Sequence, residues 1–271
     1  MKKIFFSLFA MLYCVCQTAT AEEYTLSMLP HFSPDELTAM LSPLSKKLSE
    51  ETGNDIKIAL TENTAHYTAE LLRSNIVIGY ESPLAYVKVA NVHEVIAKAV
   101  RGKNGDMLRG IIISRPETEI SKVDDLKGKT IMIVSRNSAG GFLSQKLSLK
   151  ENGIDVEWDC RLIEAADKRE ENVIISVSIG DVDAGFISES GLHKADQYIR
   201  PGSVISVTKT APLPNWALSV SRNMPKGQKD DLREALLGLT EDTSELKALG
   251  ITAFKAAEDD EYDIVRNISE L

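Results

Sequence analysis

The chain has 271 residues, 43% apolar and 26% charged, with 31 Lys and Arg against 40 Asp and Glu for a formal charge of −9. That composition belongs to a globular protein with a core rather than to a disordered one, and the acidic balance disfavours a nucleic-acid or polybasic-surface role. A small anionic ligand stays open, because local donors rather than net charge would hold it.

Lys2-Lys3, the apolar stretch Ile4 to Val15 and Ala19-Thr20-Ala21 have the three parts of a secretory signal, residues 1–21, with a mature start at Glu22. The apolar stretch is shorter than the ~20 residues of a membrane span. Cys14 and Cys16 lack the small residues of a lipid-attachment site, so Cys160 is the only mature cysteine. An internal disulfide is therefore excluded, and no CxxC or Cys/His cluster exists to hold a structural metal. Removing Lys2 and Lys3 leaves 29 basic against 40 acidic residues, a charge of −11.

Short apolar runs alternate with amphipathic stretches, the pattern of mixed sheets flanked by helices. Tyr24 to Met28 reads as a strand, and Ser33-Pro34-Asp35-Glu36 as a capping box opening a helix that Gly53 ends. Ile56 to Leu60 is a strand, Thr64 to Ser74 a helix, Ile76 to Tyr80 a strand, a short helix starts at Ser82-Pro83, and Val95 to Val100 is a strand. The pattern restarts at Gly110 to Ser114. Ile131 to Val134 is then a strand, Phe142 to Glu151 a helix, Asp155 to Ile163 strand-like, Lys168 to Ile179 helical and Val182 to Ile187 a strand. Val204 to Val207 and Ala217 to Val220 flank a Pro-rich link, Ala211-Pro212-Leu213-Pro214, and the tail is helical. Two similar α/β blocks with no Gly/Ser linker imply two lobes joined by direct strand crossings, with a ligand cleft between them.

The loop Ser135-Arg136-Asn137-Ser138-Ala139-Gly140-Gly141-Phe142 joins a strand's carboxyl end to a helix's amino end, the ligand-facing position of open α/β sheets. It is neither a P-loop nor GxGxxG. Ser138, Ala139, Gly140 and Gly141 offer backbone N–H groups to an anion, but a serine there also caps a helix, and the local sequence leaves both readings open. Ser138 is not in a GxSxG elbow, and His31, His66, His93 and His193 show no pairing with a nucleophile, which leaves a serine hydrolase poorly supported. His31 and His66 follow strand ends, where cleft or solvent are alternative settings. Tyr67, Tyr80 and Trp216 also lie near strand ends, where an apolar face with a hydrogen-bonding tip suits either a core or a cleft. Cys160 reads as a small buried hydrophobe.

The segments LSPLSKKLSEETG, YESPLAYV, IIISRPETEISKVDDLKGKTIMIV, SRNSAGGF, GDVDAG and APLPNWALSVSRNMP occur in order over nearly the whole mature chain. Together they resemble the periplasmic phosphate/phosphonate-binding proteins of ABC transporters. The resemblance implies a two-lobed α/β type II periplasmic binding protein, with 22–110 and 212–271 as lobe 1 and 111–211 as lobe 2. It implies an exported, periplasmic, monomeric, non-enzymatic protein without a cofactor, closing on a small anionic ligand and meeting a membrane permease. A sensor kinase or chemoreceptor is the alternative partner. Ser138, Ala139 and Gly140 match the family's Ser-Thr-Ser loop with one hydroxyl of three, Tyr67 matches a ligand-facing tyrosine, and Tyr80 and Ser82 match the cleft-facing turn. Glu189 matches an acidic ligand contact. Met107 stands near a family aromatic, Glu170 near a histidine, and Trp216 near the acidic group of aminophosphonate binders.

Overall fold

The computed structural model describes residues 21–102 and 105–269. All but the last residue of the expected secretory segment lies outside the described residues. Among those described, no helix is long and apolar enough to cross a membrane.

The first sheet is built from β1 (Glu23–Met28), β2 (Asp55–Ile58), β3 (Ile78–Glu81), β4 (His93–Val100), β10 (Ala217–Ser221) and β11 (Ala253–Ala256), in the order β11-β4-β10-β3-β1-β2. β1 lies parallel to both β2 and β3, so all three end on the same side. β10 runs antiparallel to β3 and β4. The second sheet has the order β7-β6-β8-β5-β9, from β5 (Met107–Ser114), β6 (Thr130–Ile133), β7 (Arg161–Glu164), β8 (Ala184–Ser188) and β9 (Ile205–Pro214). β6 is parallel to β7 and β8, while β5 is antiparallel to β8 and β9.

Helix α1 (Pro34–Thr52) realises the predicted capping box: Ser33 accepts the Glu36 N–H while Glu36 reaches back to the Ser33 N–H at 2.9 Å. Its Leu37, Leu41, Leu44 and Leu48 are buried on one stripe against the first sheet, as a period of 3.6 requires. Gly53 ends it at φ 70°, a left-handed conformation cheap only for glycine. Helices α2 (Thr64–Leu72) and α3 (Pro83–Val89) follow β2 and β3. In the second lobe, α4 (Ser144–Glu151) follows a wide π turn over Ala139–Leu143, α5 (Val156–Asp159) is one turn, and α6 (Glu170–Ile179) follows β7. Helices α7 (Lys226–Leu237), α8 (Ser244–Leu249) and α9 (Asp263–Ser269) complete the chain. Both sheets are covered on two faces, and Leu84 of α3 with Val265 and Ile268 of α9 pack into the core of the second.

Three local expectations are corrected. Asp155 to Ile163 is not one strand: Asp155 accepts the Glu157 N–H and caps α5, and extended chain begins only at Arg161. The Pro-rich link is not a link but the end of β9, where Pro212 pairs with Arg109. It is tolerated because β9 is an edge strand, whose outer N–H groups have no ladder partner to lose. Cys160 is half-buried rather than core, and its thiol donates to the Leu126 carbonyl at 3.2 Å. Burial, then Asp159, pushes that thiol up to about 11, so it is inert at neutral pH.

The chain passes between sheets twice, after β4 and after β9. The two crossings are tied together: Asn215 N–H donates to the Asp106 carbonyl at 3.0 Å, and Tyr262 hydroxyl donates to the Asn215 carbonyl at 2.9 Å. Lys98, almost fully buried, pairs with Asp106 at 2.9 Å and with Glu261. Lys255 adds a second cation to Asp106 at 2.8 Å. Hydrogen bonds from Lys255 and Lys98 hold the Asp106 carboxyl down at about 2.

Candidate functional site

The loop after β6 is fixed by its backbone before any ligand is considered. Ser138, at φ −81° and ψ 117°, is the N-cap of the π turn, and its Oγ accepts the Gly141 N–H at 3.0 Å. The Ser138 N–H is used by the Ser135 carbonyl and the Leu143 N–H by the Ser138 carbonyl, each at 3.0 Å. The N–H groups of Ala139 and Gly140, in the first turn, have no intrahelical acceptor. Capping leaves the Ser138 O–H free to donate as well, so cap and cradle are compatible uses of one residue.

Glycine is required here by close approach. A Cβ on Gly140 would come 2.8 Å from the Ser188 Cβ and 3.3 Å from its Cα, and one on Gly141 would come 2.5 Å from a Val134 methyl. Buried Gln145 pins the loop from below, its Nε2 lying 2.8 Å from the Gly140 carbonyl, 3.1 Å from that of Ile111 and 3.0 Å from that of Ile187. Nothing in the local sequence marks Gln145, which is one polar residue in an ordinary helical stretch.

The residues expected to face this loop lie at the ends of β1 and β3, on α2 and before β10. Tyr80 and Trp216 pack with ring centroids 5.2 Å apart, and His31 meets Trp216 edge-on at 6.1 Å. Tyr67 and Tyr80 are fully buried; neither hydroxyl makes a hydrogen bond of ordinary geometry among the described residues, but Glu81 lies near the first and the Arg101 guanidinium near the second. Thr61 Oγ1, Glu81 Oε2 and Asn215 Nδ2 are buried and unpartnered too. Five such orphans, from α2, β3, the segment after β2 and the β9–β10 junction, are costly in a settled core, at roughly 1–3 kcal/mol each.

The lobes meet around these residues. Lys88 on α3 donates to Asn137 in the β6 loop at 3.4 Å. Lys168 reaches toward His31, whose pKa is lowered by desolvation first and by that ammonium second. Asp167 and Lys168 hold left-handed backbone at φ 54° and 53°, strained for residues with a Cβ.

The remaining expected residues have local partners. Ser82 caps α3 by accepting the Ala85 N–H at 3.4 Å. Half-buried Glu189 is ion-paired with Lys209. Glu170 accepts the Ser188 N–H at 2.7 Å and pairs with Lys194 at 2.6 Å. Thus Tyr80 and Trp216 touch, Gly140 abuts Ser188 next to Glu189, and Tyr67 lies by Glu81 between Tyr80 and Ser82 in sequence. Glu81 itself was missed by sequence reasoning, although a carboxylate closing an apolar strand two residues after Gly79 is a readable signal.

Two α/β lobes crossed twice by one chain, with strand ends and helix starts gathered between them, define a type II periplasmic binding protein fold. A profile of the ABC transporter phosphonate periplasmic substrate-binding proteins matches residues 26–262, and the chain belongs to that family. The phosphate-import protein PhnD of Mycolicibacterium smegmatis is 26% identical over 215 residues, 72% of this chain and 66% of that protein, a little under two thirds of its length. PhnD1 of Prochlorococcus marinus in complex with methylphosphonate superposes with a TM-score of 0.73 at 16% identity, over 92% of this chain and 97% of that one. A binding component of a phosphonate ABC transporter from Pseudomonas aeruginosa gives a TM-score of 0.70 at 18% identity, over 92% and 86%.

Proposed function

We propose that this protein is a periplasmic solute-binding protein that captures a small oxyanion, such as a phosphonate or phosphate ester, by lobe closure and hands it to an ABC permease. The observation that carries the reading is the pair of unclaimed N–H groups on Ala139 and Gly140, beside the spare Ser138 O–H, at a sheet end. Helix-start N–H groups favour anions. Tyr67, Tyr80 and Trp216 form the facing wall, where a ligand oxygen or its water would satisfy the orphaned hydroxyls. Family membership and the methylphosphonate complex of a protein with this fold support the ligand class.

Lobe movement centres on the two crossings, with lobe borders at the ends of β4–β5 and β9–β10 in place of 110/111 and 211/212, which cut through β5 and β9. The protein works as a monomer and as a carrier rather than an enzyme, a reading supported by its membership of a family of transporter substrate-binding proteins. Ser82 and Glu189 serve the rim through a cap and an ion pair. A thermal-shift series with methylphosphonate, phosphate, phosphite and sulfonates tests the ligand class. Stabilisation by oxyanions supports it, and a shift only with cationic or neutral compounds contradicts it.

A further inference from the structure

A pocket of about 330 Å³ lies on the flank of the loop after β6, where α3, which follows β3 of the first sheet, meets that loop and α4 of the second lobe. None of Tyr67, Tyr80, Ser138, Ala139, Gly140 and Trp216 lines it, so it is distinct from the proposed cleft and stands whether or not that cleft takes an oxyanion. Three cations face it: Lys88 on α3, Arg136 in the loop and Lys146 on α4. Leu84 and Lys88 are four residues apart on α3, which puts them on one side of that helix. Arg136 and Lys146 are held together: the guanidinium and the ammonium each lie 5.9 Å from the Phe142 ring centroid, and both pair with Glu157 of α5, Lys146 at 2.7 Å.

The charge count decides what this pocket attracts. Glu157 is the only carboxylate in its lining, and it already serves two cations. Lys88 has the neutral Asn137 amide oxygen at 3.4 Å and no ion pair among the described residues. Three cations against one carboxylate leave an excess of two positive charges, on a chain whose formal charge is −9. Leu84, Phe142 and Ile268 supply apolar surface beside the cations, where salt screens a charge pair less than on an open surface. The volume lies near the lower end of small-molecule sites, about 300–1,000 Å³, and exceeds what a lone inorganic ion fills.

We propose that this pocket is a second ligand site, for an organic anion with a sulfonate, carboxylate or phosphate head and an apolar body. The head meets Lys88 and Arg136, and the body lies against Leu84, Phe142 and Ile268. Glu157 is the internal counter-ion, and it competes with the ligand for Arg136 and Lys146. Because Lys88 stands on α3 and Arg136 in the loop after β6, an anion held by both ties the two lobes together.

The test is calorimetric titration of the mature chain with naphthalene-1-sulfonate, and with inorganic sulfate as the head group alone, for wild type, Lys88→Gln, Arg136→Gln and Glu157→Gln. All three residues are exposed, so the changes leave the core intact, and thermal unfolding checks each variant. Naphthalene-1-sulfonate binds wild type more tightly than sulfate does, and more weakly as salt rises. Lys88→Gln and Arg136→Gln each lower its affinity about threefold to tenfold, the range of one partly screened charge-assisted contact. Glu157→Gln raises it by a similar factor, because two cations are released at once. A pocket kept only for packing or for the Glu157 ion pairs gains nothing from losing that carboxylate. No binding by wild type, equal affinity in Lys88→Gln, or unchanged or weaker binding in Glu157→Gln overturns the proposal. Ala139→Pro, which removes an N–H from the proposed cradle, keeps the wild-type affinity for naphthalene-1-sulfonate. A loss there puts the probe in the cleft and overturns the second site, whereas the cradle itself is judged with methylphosphonate.

Discussion

The Ser138 hydroxyl accepts the Gly141 N–H at 3.0 Å, so Ser138 is first a helix cap. The N–H groups of Ala139 and Gly140, in the same first turn, have no intrahelical acceptor. On the proposed reading, the anion site would be a by-product of ordinary capping geometry, for which a small loop suffices.

Gly140→Ala should destabilise the protein by about 1–3 kcal/mol, the usual cost of overpacking, because the new Cβ meets Ser188 backbone and Cβ rather than a flexible tip. Urea unfolding measures it. A variant as stable as wild type would show that the loop and Ser188 part easily.

2-Aminoethylphosphonate should bind no more tightly than methylphosphonate. Its ammonium needs a free carboxylate, but Glu189 is held by Lys209 and Glu170 by Lys194 and the Ser188 N–H. Parallel calorimetry decides this, and submicromolar affinity for the aminophosphonate alone would show an acidic partner in the cleft.

Glu81→Gln should raise stability at pH 8 more than at pH 5. The folded state holds the Glu81 proton up to about 8, whereas the unfolded chain releases it near 4.5. Between those values the unfolded state binds fewer protons, so wild-type stability from this group falls as pH rises, and is constant above and below. Denaturant unfolding at pH 5, 6.5 and 8 gives the gap, and a gap that does not widen contradicts the neutral carboxyl.

Asp106→Asn should cost about 1.5–3 kcal/mol at pH 7, the range for hydrogen bonds to charged groups, because it takes one carboxylate from Lys98 and Lys255 at the crossings. The Asp106 carboxyl is held down in the folded state, so its contribution is complete above the ordinary carboxylate range and disappears as pH falls toward about 2. Thermal unfolding of the two proteins at pH 7 and pH 3 should show the difference shrinking with acid.

Periodicity and capping exposed most of the architecture: the Ser33 box, the stripe from Leu37 to Leu48, the Gly53 stop and the strand before Ser135 are all local signals. The errors lie where tertiary position overrides local preference. Pro212 sits in a strand because β9 is an edge, and Ala253–Ala256 was missed because four residues of weak apolar character become a strand only beside β4. The loop after β6 was legible because its glycines and serine are chemistry written in sequence. Glu81, Ser219, His93 and Gln145 were not, since their meaning is carried by contacts between residues as much as 138 positions apart.

The most direct test of oxyanion capture uses Ala139→Pro. Proline is accepted at the first helical position, and Ser138 already has the extended backbone that precedes it, so the change deletes one N–H and no intrahelical bond. Calorimetric titration of both proteins with methylphosphonate should show wild-type binding and a loss of about tenfold or more in the folded variant, as expected for one charge-assisted hydrogen bond. Equal affinity in the two proteins would contradict the cradle.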